Sequence, residues 1–183
     1  MTMPNDRPEI GVVEPAAVAE ATRAALRRLA GSVAVVTSRH DGRRFAMSVT
    51  AVDALSLDPP AVLVCINRTT AIHPPLAAGA DFAINLLGRS HEDIARACGG
   101  YMKGDERFTL GQWRDDGGAP VLEGAQATLL CRQDGRFDYG THTIFVGRVV
   151  EAISGDVVDP LLYADGGYNG LADLSQASSR RFA

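Results

Sequence analysis

The chain has no apolar run approaching the roughly 20 residues that cross a bilayer. Its longest runs, such as Ala61 to Ile66, are far shorter, and no apolar stretch behind a basic segment marks the N-terminus as a leader. A basic excess is missing too. Lys and Arg total 18 against 22 for Asp and Glu, a formal net charge of −4, whereas a nucleic-acid binder needs cations that displace phosphate counterions. The one basic cluster, Arg23, Arg27 and Arg28, reads as a solvated helix face. Neither a membrane nor a nucleic acid is an expected partner, and the cytoplasm is the expected compartment.

Cysteine is scarce. Cys65, Cys98 and Cys131 each lie more than thirty residues from the next, so there is no CxxC pair to hold zinc, and an odd number argues against a disulfide framework. In Ala61 to Asn67 and in Ala127 to Cys131 the cysteines read first as small buried apolar residues. Four dispersed histidines, His40, His73, His91 and His142, form no HExxH-type site, and no metal is expected. GxGxxG opening a helix and GxxxxGK[ST] are both absent, which excludes a Rossmann dinucleotide site and a P-loop.

What remains is a chain of 183 residues, 46% apolar and 22% charged, long enough to bury roughly 70% of its unfolded surface around one core. Residues 1–14 read as a flexible N-terminal arm, 15–175 as the folded domain and 176–183 as a C-terminal tail. Apolar residues at helical spacing predict a helix over 15–30, capped by Gly31. The β-branched run Ser32 to Ser38 predicts a strand. Asp41-Gly42 joins it by a hairpin to a second strand over Arg43 to Ala51. After the Leu57-Asp58-Pro59-Pro60 interruption, Ala61 to Asn67 predicts a third strand, buried on both sides if its unbroken apolarity is taken at face value.

A short helix from His73, a strand over Asp81 to Leu87, and a helix over His91 to Cys98 behind a Ser90–Asp93 capping box follow. Gly99 to Pro120 reads as a long loop whose aromatics need cover. Strands are expected over Ala125 to Cys131, Thr143 to Ala152 and Leu161 to Ala164. The pattern is mainly β with peripheral helices, an antiparallel barrel. Ser48 and Thr50 on the second strand, and Asn67, Arg68, Thr69 and Thr70 after the third, would meet at one rim if those strands were neighbours. Such a rim suits a flat, phosphorylated ligand.

The segment FAMSVTAVDALSLDPPAVLVCINRTTAIHPPL, Phe45 to Leu76, resembles the flavin-binding core of the small flavin reductases that serve two-component monooxygenases, the reductase component of 4-hydroxyphenylacetate 3-monooxygenase among them. FAINLLGRSHEDIARACGG, ERFTLGQW, GAPVLEGAQATLLC and GTHTIFVGRV resemble later segments of that family in the same order, so the likeness runs from about Ala24 to Leu171. It implies the FMN-binding split barrel and a homodimer with flavin near the subunit interface. It also implies an NAD(P)H:flavin oxidoreductase that passes reduced FMN, or FAD, by diffusion to a large flavin-dependent monooxygenase, with NADH or NADPH as co-substrate.

Carried over residue by residue, Ser48 and Thr50 reach the flavin ring or its ribityl chain, and Met47, Val49 and Ala51 add amides or apolar contact. Asn67, Arg68, Thr69 and Thr70 hold the phosphate. Cys65, His73 and Asn85 complete the cofactor set, while His142 and Tyr168 line the nicotinamide side. Ala46 stands where the family has glycine, and Asp53 has no assigned role. No acid–base residue is required, because both reacting centres belong to cofactors. The alternatives are a non-catalytic flavin-binding module or an oxidase-type protein on the same barrel.

Overall fold

A computed structural model of the chain describes residues 14–115 and 118–172. The expected arm, apart from Glu14, and the expected tail lie outside the described residues. Helix α1 (Pro15–Leu26) leads into β1 (Gly31–Ser32), β2 (Ala34–His40), β3 (Arg43–Val49), β4 (Val52–Leu57) and β5 (Pro60–Asn67). Then come α2 (His73–Ala77), β6 (Phe82–Leu86), α3 (Glu92–Arg96), β7 (Trp113–Arg114) and β8 (Val121–Leu122). The long pair β9 (Ala127–Tyr139) and β10 (His142–Ser154) and the small hairpin β11 (Leu162–Ala164) and β12 (Gly167–Asn169) end the described chain.

Seven strands form one antiparallel sheet in the order β3-β2-β6-β9-β10-β5-β4. Its two outermost strands are consecutive in sequence, joined only by Thr50 and Ala51. Three Cα steps span at most about 11 Å, so the sheet must curl until its edges meet at that end. Inside the curl, Val36, Val64, Ile66, Phe82, Ile84, Cys131 and Phe145 from five strands pack into one core. Phe82 lies so close to β10 that a Cβ on Gly147 would stand 2.5 Å from its ring, which is why a glycine occupies that position. On the outer side of β2, Val33, Val35, Ala46, Ile94, Cys98, Phe108 and Leu122 make a second cluster beneath the helical segments.

The mainly β architecture agrees with the sequence reading, and the Asp41-Gly42 turn has the paired positive φ of 49° and 72° that its residues favour. Several details differ. Helix α1 stops at Leu26 because Arg27 is drawn to the β11–β12 turn, pairing with Asp165 at 3.1 Å and exchanging backbone contacts with it, and Gly31 then pairs with Tyr163 instead of capping a helix. Strand β4, unexpected from its mixed composition, forms a hairpin with β5 across Asp58-Pro59.

Strand β5 is buried on one face only; it is β2, sandwiched between the two clusters, that is covered on both. Strands β9 and β10 run well past Cys131 and begin before Thr143, since the polar stretch between them continues the ladder to Tyr139 and His142. Ser90 caps nothing, because α3 starts only at Glu92 after a 3-10 turn in which Gly88 N–H donates to His91 Nδ1 at 3.2 Å. The expected loop over Gly99 to Pro120 is partly built. It holds a π-helical turn (Ala97–Tyr101), a 3-10 turn (Gly104–Thr109) and the β7–β8 pair, with Phe108 buried and Trp113 edge-on to it at 5.2 Å.

Asn85, the fourth residue of β6, has no exposed surface. Its Nδ2 donates to Val35 O at 3.1 Å and Thr37 Oγ1 at 3.3 Å, and its Oδ1 accepts from Leu122 N at 2.8 Å and Thr128 Oγ1 at 3.2 Å. Every bond an amide side chain can make is thereby used inside the fold. Burial lifts the Cys98 thiol to about 11 and that of Cys131 to about 12, so neither is a thiolate nucleophile at neutral pH.

Candidate functional site

β3 climbs to the end of the barrel at which the sheet edges meet, and its last residues form a ridge between two clefts. On one side a cleft of about 210 Å³ is lined by Met47, Ser48, Thr70, Cys98, Gly99, Gly100 and Arg107, with Ala71 and Ile72 behind. On the other, a cleft of about 240 Å³ is lined by Ser48, Val49, Thr50, Gly99, Tyr163, Tyr168 and Val33. Ser48 and Gly99 belong to both, so the clefts adjoin. β3 and β5 are separated by four strands in the sheet, yet the curl brings Ser48 and Thr70 to the same opening.

The ridge is fixed from below: Ser48 Oγ donates to Ala95 O at 2.7 Å, which leaves its lone pairs for an incoming donor. Part of the facing wall has no side chains. The π-helical turn presents Gly99 and Gly100, the latter at φ 123° where an L side chain is strained. A Cβ on Gly99 would lie 4.0 Å from both Ser48 Cβ and Tyr168 Oη. π-helical turns of this kind recur at functional sites. The signal in the sequence was the Gly-Gly pair directly after a helix, and the sequence reading passed over it. Tyr168 stands against Tyr163 at 5.1 Å, edge to face, with the Arg96 guanidinium 4.9 Å from its ring centre. Burial raises its phenol pKa.

The loop after β5 is wound on itself. Asn67 Oδ1 accepts from Thr69 N at 3.0 Å and Thr69 Oγ1 at 2.9 Å, while Thr70 Oγ1 donates to Asn67 O at 2.8 Å. Asn67 therefore shapes the turn, and Thr70 is the loop residue that reaches the cleft. Arg68 is exposed, its amide tied to Thr141 O at 3.0 Å. His142 lies across the ladder from Asn67, exposed, with Nδ1 2.8 Å from Thr141 Oγ1. Cys65 is half-buried within β5, and Ala51 belongs to the β4 side, its carbonyl accepting from Cys65 N at 3.0 Å.

The structure thus gathers Met47, Ser48, Val49, Thr50, Thr70 and Tyr168 around the clefts. Cys65, Asn67, Arg68, Thr69, His73 and His142 line neither cleft, and Asn85 is enclosed in the core, a correction forced by its four internal hydrogen bonds. Arg107, which the sequence reading did not select, stands on the cleft wall. A face partly free of side chains opposite a strand of hydroxyls, with an aromatic ring alongside, fits a flat ring system with polar edges.

His73 faces away from the clefts into a polar chain. Its Nε2 lies 2.8 Å from Thr143 Oγ1, which donates its one proton to Asp138 Oδ1 at 2.6 Å, so Nε2 carries the hydrogen. Burial holds this imidazole below the ordinary 6.5; Arg68 adds to the effect and Asp138 opposes it. Burial alone lowers His91. A histidine whose folded pKa is depressed contributes stability that is complete above the unfolded value near 6.5 and lost as the pH falls through the lower folded value. Urea midpoints should therefore be flat from pH 8 to about 7 and decline below about 6.5, and His73→Gln should make that decline shallower.

The Flavin reductase like domain family matches residues 26–172. The reductase component of the FADH(2)-dependent resorcinol hydroxylase of Rhizobium sp. (strain MTP-10005) is 38% identical over 157 residues, 84% of this chain and 88% of its own length. FMN reductase (NADH) RutF of Methylorubrum extorquens (strain DSM 6343 / CIP 106787 / DM4) is 36% identical over 162 residues, 88% of this chain and 79% of its own. Among solved structures, the NADH:FAD oxidoreductase SgcE6 of Streptomyces globisporus C-1027, in complex with NAD and FAD fragments, superposes with a TM-score of 0.78 at 28% identity, covering 88% of this chain and 96% of that one.

Proposed function

The chain belongs to the flavin reductase-like family, and on that premise we infer that it is an NADH-dependent flavin reductase supplying reduced FMN or FAD to a separate oxygenase. A flavin held in these clefts would supply the acceptor for the hydride that a reduced nicotinamide gives up, and with it a ring that would carry one negative charge once reduced. The protein's own task is to hold two flat rings face to face. Alignment of that kind turns a bimolecular encounter into a nearly unimolecular step.

The observation that carries this reading is the pair of adjoining clefts sharing Ser48 and Gly99. Met47, Ser48, Val49, Thr50 and Ala51 offer hydroxyls, amides and apolar surface to the ring and ribityl chain. Thr70, with Arg68 and Thr69 from the same turn, serves the phosphate, where a guanidinium supplies charge-assisted bonds. Asn67 acts through the turn it builds. Cys65 backs the ridge from β5, and His73 braces the loop from α2. Tyr168 and His142 serve the nicotinamide. His142→Ala should raise the apparent KM for NADH about tenfold, the effect of one lost bond of about 1.4 kcal/mol, with the KM for FMN little changed; steady-state kinetics with each substrate varied in turn checks this.

A homodimer is part of the same proposal. Helix α1 buries none of its side chains, Leu26 and Leu29 are 62% and 72% exposed, and with Val52, Ala54, Val62 and Leu129 they edge an apolar concavity of about 710 Å³. A second copy would cover it, and sedimentation of the purified protein would report the dimer mass. All three cysteines are free, in keeping with a reducing cytoplasm, and no helix among the described residues is long and apolar enough to cross a membrane.

Incubating the protein with NADH and free FMN, while following the near-ultraviolet absorbance of NADH, tests the activity directly. Rapid loss of that absorbance supports the reductase. A protein that binds flavin but leaves NADH unoxidised would be a storage or sensing module instead.

A further inference from the structure

Three arginines that line neither cleft are matched by carboxylates. Arg39 pairs with Asp115, Arg44 with Asp105 at 3.2 Å, and Arg96 with Glu92 at 2.6 Å. Arg107 is not. It rises half-buried from the 3-10 turn Gly104–Thr109 into the cleft wall beside Met47, Ser48 and Thr70. Backbone carbonyls hold its guanidinium on two sides, Nε donating to Met102 O at 2.9 Å and Nη1 to Ala46 O at 2.5 Å. Both partners are neutral, and no carboxylate among the described residues forms an ion pair with it. A cation taken partly out of water and clamped in place, without a counter-charge, is set to meet an anionic ligand.

The clamp indicates which anion. Ala46 immediately precedes the stretch Met47 to Ala51 that lies along the proposed ring site, so the carbonyl that fixes Arg107 belongs to the strand the ring rests on. The phosphate-binding turn has its own cation, Arg68. We propose that Arg107 faces the pyrimidine edge of the bound flavin and offsets the negative charge this edge gains on reduction, so that the protein favours the reduced ring. The proposal rests on the reading of the cleft as a flavin site. It gives Arg107 an electrostatic part in the reaction with no proton to transfer, since a guanidinium stays charged throughout.

The test is anaerobic titration of the full-length protein with oxidised and reduced FMN, and with oxidised and reduced riboflavin, followed by flavin fluorescence and calorimetry. Arg107→Met should weaken binding of the reduced forms about tenfold more than of the oxidised forms, a fall of about 30 mV in the bound flavin's two-electron potential, for both ligands alike. Arg107→Lys, which keeps the charge, should recover part of the difference. Equal weakening of oxidised and reduced forms would overturn the proposal, as would a loss confined to FMN, which would put Arg107 on the phosphate. Failure of the unsubstituted protein to bind any flavin would overturn the reading of the cleft, a result distinct from either.

Discussion

Gly99→Leu abolishes flavin binding, lowering FMN affinity at least ~100-fold, or about 2.8 kcal/mol, while the protein keeps its fold. The two halves of that outcome have separate causes. Gly99 has no positive φ, and a Cβ there meets Ser48 and Tyr168 at 4.0 Å, an ordinary contact distance. Gly99→Ala should therefore fold normally and retain most of its affinity. Leucine adds three carbons beyond the Cβ, and the space ahead of them is the opening between Ser48 and Tyr168 where the adjoining clefts meet. Side chain and ring would claim the same volume. Fluorescence titration with FMN, paired with thermal unfolding of the same samples, checks both halves; a leucine variant that binds FMN normally would remove this wall from the site. Gly100 would be the wrong position for the test, because its φ of 123° strains any side chain and mixes backbone cost with steric block.

Asn85→Ala has the opposite signature, a large loss of stability with ligand affinities per folded molecule unchanged. Removing the amide leaves the buried Leu122 N–H without an acceptor and takes from Thr128 and Thr37 the group that joins them. Buried polar groups left unpaired cost roughly 1–3 kcal/mol each. A total near 3 kcal/mol would lower Tm by about 6–12 °C in a chain of this size. Calorimetry with and without FMN separates this structural role from ligation, since a ligating asparagine would instead lose the stabilisation that FMN adds.

Asn85 also shows where sequence reasoning stops. A polar residue in an apolar strand signals either a ligand or a buried network, and only the positions of Val35, Leu122 and Thr128, remote in sequence, decide between them. Where the determinants are local, the reading succeeds. Asp41-Gly42 turns as its backbone preferences require, and the hydroxyls of Ser48, Thr50 and Thr70 do come to the clefts. The reason anticipated for that convergence, neighbouring strands, is not the one realised; a two-residue link between the sheet's outer strands does it. Apolarity alone likewise misjudged β5, because burial on a second face depends on what the rest of the chain lays over it. Arg107 lies in the family-like segment ERFTLGQW, but what sets it apart from the paired arginines, its place on the cleft wall and its clamp of backbone carbonyls, depends on Ala46, Met47 and Ser48, some sixty residues away.

The covering of β3 matters for more than the ligand. An outer strand of a flat sheet exposes a row of unpaired amides and carbonyls that invites strand-to-strand aggregation. Here Arg107 occupies the Ala46 carbonyl, Ser48 is tied to Ala95, and the charged Arg43 and Arg44 open the strand. At the opposite margin, an irregularity between Ala54 and Ser56 breaks the regular pairing of β4, which blunts that edge as well. The residues 97–109 that wall the cleft are thus also a guard against self-association through β3, and substitutions that loosen them would surface as poor solubility before they surface as slow turnover.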